Sequence, residues 1–85
     1  MPAISMFYGI IIRMFYEDHM PPHFHASYQG HKASFSLDGE LLVGEFPTKQ
    51  TAMVRAWALI HTDELQAIWE LAKDNEPIFR IDPLR

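Results

Sequence analysis

The chain has 85 residues, 48% hydrophobic and 13% aromatic, with no cysteine. That suits one packed domain over residues 1–85, and the missing thiols exclude disulfide scaffolds, cysteine zinc fingers and thiol nucleophiles. Seven basic against eleven acidic residues leave a net charge of −4, which disfavours nonspecific nucleic-acid binding, and protonating all five histidines would move it to +1.

The first apolar run, Met6 to Ile12, is cut by Arg13 and follows no basic residue. It fits neither a signal segment nor a membrane span, so a cytoplasmic location without membrane contact is expected. Residues 3–16 read as one long strand, dense in β-branched and aromatic side chains. Ile10, Ile12 and Met14 share one face and Phe7, Ile11 and Phe15 the other, the pattern of a central strand covered on both sides. Pro21-Pro22 makes residues 17–22 a loop.

Gln29-Gly30 is a two-residue hairpin turn that fixes its own register. It sets Tyr28 opposite His31, Ala26 opposite Ala33 and Phe24 opposite Phe35 on an apolar face. Ser27 with Lys32, His25 with Ser34 and His23 with Ser36 fall on a polar one. Asp38-Gly39 is a second turn, opening a strand from Glu40 to Phe46 with Leu42 opposite Phe35. Thr48 is the expected cap of a first helix. From Ala52 to Ile60 its only polar residue is Arg55, so it is expected to be buried or to lie under a partner around Val54 and Ala58. Thr62, with Asp63 and Glu64 behind it, caps a second helix whose apolar stripe is Leu65, Ile68, Trp69 and Ala72. Asn75 and Pro77 stop it, and residues 78–82 read as a short edge strand. The fold class is α+β, a small antiparallel sheet of three to five strands with two C-terminal helices packed on it.

The chemistry is concentrated in Asp18-His19-Met20-Pro21-Pro22-His23-Phe24-His25. Alternation points the imidazoles of His23 and His25 away from the side carrying Phe24, and at this spacing both can reach one metal ion at about 2.0–2.1 Å. His19 folding back across the prolines makes a third ligand for zinc or another divalent metal, with an open fourth position. Asp18, Glu17 or His61 is the candidate supporting group. Without a metal, His23 and His25 with Arg13 or Arg55 as anion clamp have the groups for acid–base cleavage of a phosphodiester.

Plainer roles compete. As a functional surface that fills no core, His23 and His25 should both be replaceable by Gln for under about 1 kcal/mol, whereas the plainer reading, in which they are solvated or bonded to Ser34 and Ser36, predicts a measurable stability loss from that bonding. His31 reads as exposed at its turn, His61 as a helix-end cation, Arg55 as paired with a carboxylate such as Glu45, and Trp57 and Trp69 as core anchors.

The same His-rich string and Gly30 turn resemble the domain of unknown function 4160 family. So do Arg55-Ala56-Trp57, Leu59-Ile60-His61, Asp63-Glu64-Leu65, Trp69-Glu70-Leu71-Ala72 and Ile81-Asp82-Pro83-Leu84. Met20 departs from the family pattern, in which Asn commonly precedes the prolines. The resemblance implies a small bacterial protein acting with a second one (domain of unknown function 2442) encoded beside it, in a toxin–antitoxin-like two-gene module. A homodimer or hetero-complex is therefore the first expectation. A metal- or histidine-dependent hydrolase or ribonuclease is the second, and specific DNA binding, lacking a basic recognition helix, the weakest.

Overall fold

Tyr8 and Gly9 both take positive φ, 48° and 81°, and bend the first apolar segment back on itself. What reads as one strand is a hairpin of Ala3–Phe7 (β1) and Ile10–Arg13 (β2). The computed structural model describes residues 3–85. His23–Tyr28 (β3), His31–Ser36 (β4) and Leu41–Gly44 (β5) complete a five-stranded antiparallel sheet in the order β1-β2-β3-β4-β5, followed by helices Thr48–Ile60 (α1) and Thr62–Lys73 (α2). The class is α+β as expected, and β2 is an interior strand paired on both edges, but it is not covered on both faces. Its Ile10 and Ile12 are fully buried while Ile11 is half-exposed.

The β3–β4 register is the one the sequence predicts, all six pairs from His23 opposite Ser36 to Tyr28 opposite His31. Gln29 and Gly30 both have positive φ, 44° and 84°, which the twist of a two-residue hairpin requires. β5 departs from expectation. A bulge between Ser34 and Phe35 puts Leu41, not Leu42, opposite Phe35, and Leu42 is exposed. The turn before it is closed by Gly39, where a Cβ would stand 2.7 Å from Arg55 Cα, so glycine lets α1 lie directly on the turn.

The core fills one face of the sheet. Phe24 stacks on Phe35 at 5.7 Å between centroids, and Trp57 of α1 meets Phe24 edge-on at 5.7 Å and Phe7 at 5.4 Å. Leu65, Ile68, Trp69 and Ala72 of α2 are buried as their spacing predicts. Val54 and Ala58 are buried in the chain's own core rather than presented to a partner. The exposed apolar residues of α1 are its alanines 52 and 56 and, at the end, Leu59 and Ile60, 56% and 68% exposed. Apart from Leu59 and Ile60 at its end, the exposed apolar residues of α1 are small alanines, so the helix reads as apolar all round although one side does the packing. Neither threonine caps its helix. Thr48 and Thr62 are the first helical residues, and Thr62 Oγ1 donates back to Ala58 O at 2.9 Å. Residues 78–82 form no strand. The tail is held by Ile81 N–H donating to Ile4 O at 2.7 Å and Trp57 Nε1–H donating to Asp82 O at 2.8 Å.

Phe24 is fully buried between Phe35 and Trp57. Phe24→Ala should therefore cost about 3–5 kcal/mol in urea unfolding, through lost transfer energy and the cavity left behind.

Candidate metal centre

The loop between β2 and β3 crosses the start of β3. Glu17 N–H donates to Ala72 O of α2 at 3.1 Å, which ties the loop to the helix and brings Asp18 over His23 and His25. The Met20–Pro21 peptide is cis, and Pro21 turns its carbonyl to His23 Nδ1 at 2.7 Å. A carbonyl only accepts, so Nδ1 carries a proton and donates. At the other end of the ring, Nε2 stands 2.9 Å from Asp18 Oδ2. His25 Nε2 lies 3.0 Å from the same oxygen, and its Nδ1 lies 3.4 Å from Ser34 Oγ.

Two protonation states satisfy His23. In one it is an imidazolium donating at both nitrogens. In the other it is neutral, and its Nε2 lone pair faces the Asp18 oxygen across a shared cation. The second is the usual state of a metal-bound histidine whose far N–H is held by a backbone carbonyl. One ligand atom each from Asp18, His23 and His25 lies within 4.8 Å of the others.

Asp18 is electrostatically committed. Burial raises its pKa, but the hydrogen bond from His25, the backbone N–H of His19 and the positive charge of His23 and His25 outweigh that, leaving it below the ordinary 3.8.

The site residues read from the sequence divide clearly. His23 and His25 come together, but His23 is only 4% exposed. Trp69 of α2 lies 5.5 Å from its ring, so the loop and α2 close over the end of a face that alternation marks as open. The basis for a nearly free Gln substitution is thereby lost at His23. His19 lies at the rim with its side chain 81% exposed and its Nδ1 3.0 Å from Asp18 Oδ1, the oxygen that His23 and His25 do not share. Asp18, considered from the sequence only as a supporting group, is the carboxylate on which they meet.

Arg55 joins none of them by hydrogen bond or ion pair among the described residues. It packs on the Gly39 turn, where the Ser36 hydroxyl and, to a lesser extent, the Arg55 charge hold Asp38 below its ordinary value, and among the described residues it forms no ion pair with Glu45. His61 ends α1 and pairs with Glu64, and His31 is exposed. Arg13 is the cross-strand partner of His25.

A family model described as Domain of unknown function (DUF4160) matches residues 9–70. The chain belongs to that family. No curated protein and no solved structure matches it. The DUF4160 match spans β2 to β5, α1 and most of α2, and so contains Asp18, His23, His25 and the Trp69 that packs on His23.

Because the pKa of Asp18 is lowered on folding, its contribution to stability is present above the unfolded value of 3.8 and fades as pH falls below it through the folded value. Asp18→Asn should cost about 1.5–3 kcal/mol at neutral pH, the worth of hydrogen bonds to a charged group. That deficit should shrink in unfolding titrations taken below the ordinary carboxylate range.

Proposed function

We propose that the protein is a divalent-metal protein in which Asp18, His23 and His25 hold the ion, with zinc as the metal suited to two imidazoles and a carboxylate. The observation that supports this is the shared oxygen, with two Nε2 atoms at 2.9 and 3.0 Å from Asp18 Oδ2 and an oxygen behind each Nδ1. In a tetrahedral site with bonds of about 2.0–2.1 Å, ligand atoms stand roughly 3.3 Å apart. The two Asp18 Oδ2 to Nε2 separations would need to open by only a few tenths of an ångström to admit the ion.

Three protein ligands leave a position for water, and a zinc-bound water ionises near about pH 7, which makes it a nucleophile for hydrolysis. His19, at the rim beside Asp18, is placed to move a proton. On this reading His23 and His25 are ligands rather than acid and base, and Arg55 takes no part.

Protein purified without an affinity tag or added metal should carry about one zinc per chain by elemental analysis. Added zinc should raise the melting temperature of the metal-stripped parent but not that of His25→Gln. A metal-free protein whose melting zinc leaves unchanged would rule the centre out.

A second reading rests on a separate observation. β5 is an edge strand with all four residues exposed, among them Leu41, Leu42 and Val43. Such an edge pairs readily with another chain. It favours a role in a protein complex, either with a second copy or with the small protein of a toxin–antitoxin-like two-gene module. In light scattering of the chain alone and mixed with that protein, Val43→Lys should dissolve the complex while leaving the melting temperature unchanged.

A further inference from the structure

We infer that the open face of the sheet carries a binding site for a phosphate ester. Strand alternation assembles it. Arg13 pairs across β2–β3 with His25, His25 pairs across β3–β4 with Ser34, and Ser27 pairs with Lys32 beside them. These side chains and Phe15 line a groove of ≈ 610 Å³, within the range of small-molecule sites.

Its charge runs against that of the chain. The protein carries −4 overall, yet among the described residues both charged side chains lining the groove, Arg13 and Lys32, are cationic, and neither forms an ion pair. Arg13 Nη1 donates to Ser27 Oγ over a long 3.4 Å, which leaves the rest of the guanidinium fork free. A planar fork, an ammonium and nearby hydroxyls are the donors that phosphate oxygens take. The remaining wall is apolar. Phe15 lies 4.2 Å from the His25 ring and Val43 stands at the opposite margin, so the organic part of an ester has a surface that a bare phosphate would not use.

His25 borders both this groove and the Asp18 cluster, but the cations and hydroxyls that take the phosphate lie outside the metal ligands. The test is therefore run on the full chain in EDTA, where success or failure of the metal proposal does not enter. Calorimetric titrations compare adenosine 5′-monophosphate, adenosine, inorganic phosphate and a short oligouridylate. The mononucleotide should bind about tenfold or more tightly than adenosine or inorganic phosphate, since each lacks half of the contacts. Lys32→Glu should weaken it by about tenfold or more without lowering the melting temperature, because Lys32 is exposed. Arg13→Gln, in the half-buried row, should do the same. An oligouridylate that binds more tightly still, with the same loss in Lys32→Glu, assigns the ester to a nucleic-acid strand; the reverse order assigns it to a small molecule. Inorganic phosphate or adenosine binding as well as the mononucleotide overturns the proposal, as does mononucleotide binding that is absent or unchanged in Lys32→Glu.

Discussion

The cross-strand pairing of His23–Tyr28 with His31–Ser36 sorts the side chains on which everything else depends. With Phe24 opposite Phe35, the two rings stack into the core and Trp57 of α1 lands edge-on against Phe24. The same pairing leaves His23 and His25 on the reverse side, each one residue from the fully buried Phe24. A slip of one residue would bury the imidazoles among aliphatic groups and expose the phenylalanines, so the energy that holds the core also aims the histidines. The two-residue turn at Gln29-Gly30 enforces this register locally.

What register leaves undone, the β2–β3 loop completes. Its backbone bond to Ala72 anchors it on α2, and from there Asp18 reaches one oxygen to both imidazoles. The carboxylate is held ionised by those neighbours, and His23 is held in one orientation by Pro21 O on one side and Trp69 on another. The ring is thus fixed by groups outside the Asp18–His23–His25 cluster, the kind of support that keeps donor atoms convergent in metal-binding proteins. The cost is a polar cluster close to the core, tolerable because each ring nitrogen of His23 has an oxygen partner.

Much of this was legible in the residues. The hairpin register, the apolar stripe of α2 and the α+β class followed from periodicity and turn chemistry, which act over a few residues. The failures share a cause. Tyr8-Gly9 is a turn without the Asn-Gly or Asp-Gly signature, so a hairpin read as one strand. The bulge beside Phe35 exchanged Leu41 for Leu42 because its extra residue follows from sheet curvature rather than local preference. At the centre, alternation assigned His23 to its face correctly but could not show that a loop and a helix from elsewhere in the chain close over it. Asp18 was visible as a nearby carboxylate, but its place as the meeting point depends on how residues 17–22 cross the strand. Arg55 drew attention as a lone cation on an apolar helix, and the close approach of Gly39 explains where it goes instead.

The two edges of the sheet are not equivalent. At β1, Ile4 has given its carbonyl to Ile81 of the tail, whereas the outer edge of β5 has no backbone partner among the described residues and carries exposed leucines and a valine. A sheet that is receptive at one edge only cannot polymerise. Two chains meeting β5 to β5 would satisfy each other and present only their β1 margins, where the tail already takes the Ile4 carbonyl, so growth would tend to stop at a closed pair instead of running on into a fibre. In such a pair the short tail that pins Ile81 to β1 would act as a chain terminator.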